Sequence, residues 1–376
     1  MRRQLSISLW TVFIAVSMVV MNLPAAEKAG RSAIAAQVIR KGVDYLLSQR
    51  HGNGGWGNPP QPAITALALV ALHQPLLNVT SDAQLRKKVD ESIKFLLEFR
   101  KANGAFACTP QRHYLFFSDR GYPVYTTSLV LLALHKWGYA EKYAGVMTAA
   151  RNYLKTAQFT DEGKYQGGFS YYPGAKPDMG NSAWAIEALA ATEYLEKEPF
   201  SKSKQTKNPA ATKGHQTQLW PSVQKFLASS QNYDPEQPEK KDGGFGYRPG
   251  LVSSGSMTYA GLKSMVYAKL SPSDPRVKGV MRYLRNHYTL DENPGRGQVG
   301  YYYYLLTFAK ALNALHIDHV VTSSGDRHPW RDELIQKVKE LQHADGKWVN
   351  PNGKYMESDP LIVTSYALIA LAEAAH

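Results

Sequence analysis

Apolar residues recur along the chain in pairs of segments, the first with one apolar stripe and the second apolar nearly all round. In the first pair, Ile39, Val43, Leu46 and Leu47 lie at the spacing of one helix face, and residues 63–73 that follow have few polar positions. A helix with one apolar stripe buries one side, whereas a helix that is apolar all round must be buried on most of its surface. The pattern therefore predicts an outer helix packed against an inner helix.

The same pair recurs along the chain, and the two helices of each pair are joined by a Gly-rich turn with an aromatic residue. We count about six pairs, at a spacing of about 45 to 75 residues, which is longer than helical-repeat solenoids usually show. A closed ring would bury the inner helices without capping repeats. We therefore expect an all-α fold, a closed α/α toroid with no sheet beyond short hairpin fragments. The predicted inner helices are residues 63–73, 127–136, 181–194, 256–270, 303–315 and 361–375.

Two of the turns carry a specific motif, in which Gln49 precedes Gly54-x-Trp56 and Gln342 precedes Gly346-x-Trp348. This spacing matches the Gln-Trp repeat of squalene and oxidosqualene cyclases. Looser aromatic versions stand at the other turns, at Phe106, Phe169, Phe245 and Tyr301. Over roughly residues 31–376, the chain resembles the terpene cyclase and prenyltransferase α/α-toroid family. We expect the two glutamines to hydrogen-bond backbone groups at the start of the next inner helix.

The turns of such a ring gather at one end, so their residues should converge on a central cavity. Aromatic faces cover hydrocarbon and stabilise cations, as in the resembling cyclases, so the predicted partner is an apolar, isoprenoid-like small molecule. Packing within the ring is the alternative role for each aromatic residue. The predicted lining is Trp56, Phe106, Tyr125, Phe169, Tyr171, Tyr172, Phe245, Tyr247, Tyr259, Tyr301, Tyr302, Tyr303, Tyr304 and Trp348.

The acid that the resembling cyclases use is missing from its place. Those enzymes carry Asp-x-Asp-Asp-Thr-Ala at the start of an inner helix, where the middle Asp protonates an alkene. Here Asp178 is followed by Gly180 at the middle position. The resemblance therefore implies no standard squalene cyclase activity. Asp359 and Glu357, at the equivalent turn of the last repeat, are candidate substitute acids, and Tyr125 completes the candidate catalytic residues on the cavity wall.

Helix capping is the alternative role for Asp178 and Asp359, because a side-chain oxygen at a helix start accepts hydrogen bonds from free backbone N–H groups. At that position we expect Asp178 to be ionised.

The zinc site of the prenyltransferase branch has no counterpart either. That site needs an Asp and a Cys two residues apart and a distant His, whereas Cys108, the one cysteine, is preceded at that spacing by Phe106. The sequence also carries no phosphate loop and no dinucleotide fingerprint. We therefore predict no metal and no cofactor.

An acidic glycan is a second candidate partner. Residues 109–123 bring Arg112, His113 and Tyr114 into one loop. Together with Tyr247 and Arg248, these residues could neutralise a uronate and abstract a proton, as in a polysaccharide lyase or hydrolase. An ordinary exposed loop is the alternative reading of Arg112 and His113. A non-catalytic binding scaffold is the third hypothesis, and the oligomeric state is open.

The first 26 residues have the order of a secretory signal: Arg2 and Arg3, an apolar run, then small residues before Glu27. We expect export, to the periplasm or beyond the cell, with membrane contact only if the signal stays uncleaved. Residues 27–376 are predicted to form one toroid domain with insertions at 109–123, 199–218 and 232–242. The net charge of +13 comes with no nucleic-acid-binding motif, so we expect no nucleic-acid partner.

Overall fold

The structure, a computed structural model, describes residues 25–108, 121–200 and 218–375. Twelve α-helices and one two-stranded ribbon lie in these ranges. The helices are α1 (Ala25–Ser48), α2 (Pro62–Leu72), α3 (Ala83–Leu97), α4 (Pro123–Lys136), α5 (Ala140–Thr156), α6 (Met179–Ala191), α7 (Leu219–Ser230), α8 (Gly255–Tyr267), α9 (Pro275–Asn286), α10 (Tyr301–Ala314), α11 (Trp330–Glu340) and α12 (Pro360–Ala374). The antiparallel ribbon pairs β1 (Val320–Val321) with β2 (Arg327–His328).

The even-numbered helices form a closed inner ring. Each packs against the next, from α2 through α4, α6, α8 and α10 to α12, and α12 packs against α2. Side chains also join the two ends of the chain, because Gln74 Nε2 donates to Leu368 O at 3.0 Å and Gln342 Nε2 donates to Val38 O at 3.0 Å. The predicted closed α/α toroid is confirmed.

Burial separates the inner helices from the outer ones as the sequence pattern predicts. Inner helix α12 is buried at every position from Ile362 to Leu371. Outer helix α9 buries one face, which includes Val277, Val280 and Leu284. The predicted inner helices all exist, but several begin earlier than expected. Helices α2, α4 and α12 begin with a proline, whose missing N–H costs nothing in the first turn.

Five of the turns share one hydrogen bond, in which the backbone N–H of the aromatic residue donates to a hydroxyl on the inner helix. The N···O distances are 2.8 to 3.1 Å. This bond fixes the turn against the start of its own inner helix. The donor and acceptor pairs are Trp56 and Thr65, Phe106 and Thr127, Phe169 and Ser182, Phe245 and Thr258, and Trp348 and Thr364.

A glycine in each of these five turns packs against the backbone of the next outer helix around the ring. Each has positive φ, and an added Cβ would lie 2.9 Å or less from a backbone oxygen of that helix. A side chain fits neither the conformation nor the space, so glycine sets the spacing between outer helices. The glycines and the oxygens that they approach are Gly54 and Glu91, Gly104 and Ala149, Gly167 and Ser222, Gly243 and Gly279, and Gly346 and Lys41.

The expected role of the motif glutamines is wrong, because the hydrogen bonds of both side chains go to groups outside the next inner helix. Gln342 Nε2 donates to Val38 O in α1 and to Gly346 O in its own turn, each at 3.0 Å. Gln158 and Gln231 form the same bridge in other turns, to Leu219 O and Arg276 O. Gln49 Nε2 donates to Ser48 Oγ instead, and the neighbouring Arg50 makes the contact with α3.

Several predicted segments lie outside the described residues, namely most of the signal region and most of the insertions at 109–123 and 199–218. The third insertion, 232–242, forms a loop with a short 3₁₀ turn at Pro238–Lys240. Within the described ranges, no helix combines the length and the apolar character that crossing a membrane requires.

Candidate functional site

A cavity of about 1010 Å³ opens among the N-terminal ends of the six inner helices. Its volume is at the upper end of the range of roughly 300 to 1,000 Å³ that small-molecule sites occupy. Exposed residues, including Arg296, Tyr355 and Met356, surround its mouth, and buried residues such as Leu67, Trp184 and Tyr366 lie deeper. The toroid therefore encloses a space large enough for a sizeable organic molecule.

The two sides of the cavity differ in chemistry. The side formed by α2 and α12 presents aliphatic residues such as Ile64, Leu67 and Ile362 along the helices, with Asp359 at the start of α12. The side formed by the starts of α6 and α8 presents polar residues, which we call the polar pole: Asp178, Asn181, Tyr247, Ser254 and Ser256. Aromatic rings from several elements complete the wall, namely Tyr122, Tyr125, Tyr171, Trp184, Tyr303, Tyr355 and Tyr366.

Asp178 is fully buried and is the N-cap of α6. Its Oδ1 accepts from the Asn181 backbone N–H at 2.9 Å, and its Oδ2 accepts from Asn181 Nδ2 at 2.8 Å. Burial raises the pKa of the Asp178 carboxyl, while hydrogen bonds from Asn181 and Tyr247 and the charge of Arg248 act in the opposite direction. The structure thus shows the capping role, and burial opposes the ionisation expected at a helix start.

Glu357 and Asp359 lie on the same cavity. Glu357 is buried and accepts from the backbone N–H groups of Tyr302 and Tyr303, at 3.2 and 2.8 Å, and from Asn350 Nδ2 at 2.6 Å. Asp359 caps α12 by accepting from Leu361 N at 2.8 Å. Burial raises the pKa of both carboxyls, against hydrogen bonds that favour their charged forms. The ring therefore brings the three acids that the sequence indicated to one cavity.

Gly180 lies on the cavity wall beside Asp178. A Cβ built at Gly180 would meet Asp178 Oδ1 at 3.4 Å and a Tyr247 ring carbon at 3.8 Å, which are ordinary contact distances. The backbone thus leaves room for a side chain at this position.

Four of the aromatic residues predicted to line the cavity do so: Tyr125, Tyr171, Tyr247 and Tyr303. The aromatic residues of the turns lie instead between the two rings of helices and are buried there. Trp56 Nε1 donates to Leu46 O at 2.6 Å and Trp348 Nε1 donates to Val338 O at 2.7 Å, so each indole turns back toward its own outer helix. The residues placed in this way are Trp56, Phe106, Phe169, Phe245 and Trp348.

The remaining predicted tyrosines also differ from expectation, since none lines the cavity. Tyr301 and Tyr304 donate their hydroxyls to Leu290 O and Thr289 O, in the segment before α10, at 2.5 and 2.6 Å. Tyr302 packs against Tyr301, and Tyr259 packs against Tyr304 and Phe308. Tyr172 lies outside the cavity lining as well.

Two cavity residues that sequence reasoning missed, Trp184 and Tyr366, follow Gly180 and Ile362 by four positions. Residues four apart share a helix face, so this spacing could have identified both. Tyr125 and Tyr366 are hydrogen-bonded through their side chains, and burial raises the pKa of each. Arg112 and His113 lie outside the described residues. The catalytic role of Tyr125 stays a prediction.

The family model of the prenyltransferase alpha-alpha toroid domain matches residues 4–220 and 211–296 of this chain. The chain belongs to this family. A search of curated proteins gave no match.

Solved structures of similar fold include two groups of enzymes. One is type II terpene cyclase MstE from Scytonema, as a variant in complex with geranylgeranyl dihydroxybenzoate, at 13% identity over 92% of this chain and 99% of that chain, with a TM-score of 0.54. The wild-type apo form of MstE gives a TM-score of 0.53 at 13% identity, over 91% of this chain and 99% of that chain. The other is Candida albicans protein geranylgeranyltransferase-I complexed with GGPP, at 14% identity over 89% of this chain and 90% of that chain, with a TM-score of 0.51. At such identities, the likeness shows the fold alone.

Beneath the cavity of this prenyltransferase-family toroid, Trp184 separates the lining from a buried ionic cluster of Glu187, Lys263 and Lys310. The Nζ atoms of the two lysines lie 5.4 and 5.5 Å from the centre of the Trp184 ring. Both lysines also donate hydrogen bonds to the Glu187 carboxylate, and the distance from Lys263 Nζ to Glu187 Oε2 is 2.5 Å. Burial alone would raise the pKa of Glu187, but the two lysines hold that pKa well below its usual range, at about 2.

Metal-binding groups are sparse in the described part of this toroid. Within it, no group of three or more His, Cys, Asp or Glu side chains is arranged to hold a metal ion. Cys108 is a free thiol on the cavity wall, and burial raises its pKa.

Proposed function

We propose that the protein binds an apolar, isoprenoid-like molecule in the cavity inside its inner ring. The observation that carries this proposal is the cavity itself, about 1010 Å³ in volume, with aliphatic residues on one side and aromatic rings around it. Each Å² of apolar surface that a ligand buries there contributes about 25 cal/mol. Similar folds whose structures contain a geranylgeranyl compound or GGPP support the choice of ligand class.

The missing acid at position 180 supports ligand binding over squalene cyclisation in this cavity. Alkene protonation needs a carboxylic acid with a proton to give, and Gly180 stands where the resembling cyclases have that acid. Both oxygens of Asp178 accept hydrogen bonds from Asn181, so this carboxyl is engaged within the protein, even though burial raises its pKa. We therefore propose ligand binding without standard squalene cyclase activity.

Binding is tested with a variant that fills the cavity. Ala63 lies on the cavity wall, so Ala63→Phe should weaken the binding of geranylgeraniol by at least about tenfold, since the new ring occupies the ligand's space. Ala83, at the exposed start of α3, is the matched control, and Ala83→Phe should leave the affinity unchanged. Isothermal titration measures both. Equal affinities in the two variants, or no binding of geranylgeraniol or squalene by the wild-type protein, would refute the proposal.

The absence of cyclase activity has its own assay. Purified protein incubated with squalene should give no pentacyclic product, and Gly180→Asp alone should not restore the reaction, because the supporting carboxylate of the family motif is also missing. A pentacyclic product from the wild-type protein that disappears in Asp359→Asn would overturn this part and identify Asp359 as the acid.

We also propose that the protein acts after export, on the basis of its first 26 residues. N-terminal sequencing of the mature protein from fractionated cells tests this. The expected chain begins at Glu27 and is found outside the cytoplasmic fraction. A cytoplasmic protein that retains Met1 would contradict export.

A further inference from the structure

Hydrogen bonds within the protein engage two side chains of the polar pole, Asn181 and Tyr247. Asn181 is 3% exposed and lies on the cavity wall. Its Nδ2 donates to Asp178 Oδ2 at 2.8 Å, and the Asn181 side chain also hydrogen-bonds the Tyr171 hydroxyl. Tyr247 hydrogen-bonds the Asp178 carboxylate. The side-chain amide of Asn181 and the hydroxyl of Tyr247 are thus engaged within the protein.

One acceptor of the pole is left over. Asn181 Oδ1 is shielded from water and has no hydrogen-bond partner among the described residues. Its orientation is set by Asp178, because turning the amide over would place an oxygen against a carboxylate oxygen. A buried acceptor without a donor destabilises the structure, and a donor supplied by a ligand removes that cost.

Charge narrows the chemistry of the ligand. Asp178, Glu357 and Asp359 all line the cavity, whereas Arg296 is the one cationic side chain in its lining within the described ranges, and it is exposed at the mouth. A diphosphate or a carboxylate placed at the polar pole would lie beside the Asp178 carboxylate, and Arg248, the cation whose charge acts there, is already opposed by Asp178 itself. The head group at the pole is therefore a hydrogen-bond donor without negative charge.

We propose that the ligand is a neutral isoprenoid alcohol whose hydroxyl donates to Asn181 Oδ1 at the polar pole while its hydrocarbon lies toward α2 and α12. This inference rests on the proposed function and adds a ligand class and a specificity-determining residue to it. Access of the hydroxyl to this oxygen requires Tyr171, the partly exposed ring that is hydrogen-bonded to the amide, to turn aside.

The test compares geranylgeraniol with geranylgeranyl methyl ether and geranylgeranyl diphosphate on the full wild-type protein. The ether keeps the chain and the oxygen but lacks the donor, so the alcohol should bind about tenfold more tightly than the ether. The diphosphate should bind more weakly than either. In Asn181→Leu, the ratio of alcohol to ether affinity should fall to about one. In the matched control Asn286→Leu, at the exposed end of α9, the ratio should stay at its wild-type value.

Each result has a distinct meaning. Equal binding of alcohol and ether by the wild-type protein overturns the inference and leaves the proposed function intact. Preference for the diphosphate also overturns it. Binding of none of these compounds, nor of squalene, refutes the proposed function and this inference together. If Asn181→Leu does not fold, as judged by circular dichroism, the wild-type comparison decides alone.

Discussion

One helix, α6, carries two buried carboxylates with opposite surroundings. Asp178 at its start is fully buried and meets neutral donors and the open cavity, and burial raises the pKa of its carboxyl. Glu187, 5% exposed and further along the same helix, meets two lysines that lower the pKa of its carboxyl to about 2.

The difference indicates a structural role for Glu187, whereas we propose a role in binding for the Asp178 end of the helix. Glu187 has its charge compensated by Lys263 and Lys310, so it has no capacity left for a ligand and acts to hold α6, α8 and α10 together. Asp178 and Asn181 leave an acceptor unpaired at the cavity instead. We infer that the cavity end of the ring serves binding and the opposite part serves stability.

The largest effect is expected at Glu187. Glu187→Gln removes the carboxylate that both buried lysines contact and leaves the charge of Glu373 to oppose theirs, which should cost about 3 to 5 kcal/mol of unfolding free energy. Urea unfolding monitored by circular dichroism measures the change. Glu193→Gln is the control, because Glu193 pairs with Lys269 at 3.4 Å on the surface and should contribute about 1 kcal/mol or less. A similar cost in the two variants would remove the distinction that we draw.

The second prediction concerns pH and has opposite signs for the two carboxylates. The folded-state pKa of Glu187 is depressed, so its stabilisation is present above about pH 4.3 and is lost as pH falls toward 2. The gap in unfolding free energy between wild type and Glu187→Gln should therefore narrow by roughly 3 kcal/mol as pH falls from about 5 to 2.

The folded-state pKa of Asp178 is raised, so its contribution is present below the unfolded pKa and is lost as pH rises through the folded one. The difference in unfolding free energy between wild type and Asp178→Asn should therefore widen as pH falls toward about 4. Chemical unfolding over a pH series measures both gaps, and gaps that move in the same direction would contradict the assignment.

The smallest effect is expected for Asp178→Asn at neutral pH. Asparagine caps a helix about as well as aspartate does, and no lysine is left unpaired, so the cost should be about 1 kcal/mol or less. Thermal unfolding measures it. A loss as large as that of Glu187→Gln would mean that Asp178 is as structural as Glu187.

The ring could be predicted from the sequence because its cause is local. Segments that are apolar all round, such as α12, must be buried on every side, and each turn glycine marks a close approach of two backbones. Because apolar segments and turn glycines both recur along the chain, the sequence predicts an inner and an outer ring of helices. Gln158 and Gln231 could not be recognised from the motif, because the turns that follow them end in Phe169 and Phe245 and not in tryptophan.

The cavity was only partly predictable, because its lining depends on side-chain direction. Trp56 and Trp348 were assigned to the cavity, but their indole N–H groups donate to Leu46 O and Val338 O in their own outer helices. Glu187 lies 76 residues from Lys263 and 123 from Lys310, so its partners appear only once the ring is closed. The acids Asp178, Glu357 and Asp359 were found because each stands near the start of an inner helix.

The central claim is that the inner ring encloses a ligand with its polar end at α6. A crystal structure of the wild-type protein with geranylgeraniol bound tests it most directly. We expect density inside the ring, with the hydrocarbon against Ile64, Leu67 and Ile362 and the hydroxyl within hydrogen-bond distance of Asn181 Oδ1. An empty ring with the alcohol on the outer surface, or a hydroxyl directed to the α2 side, would contradict the account.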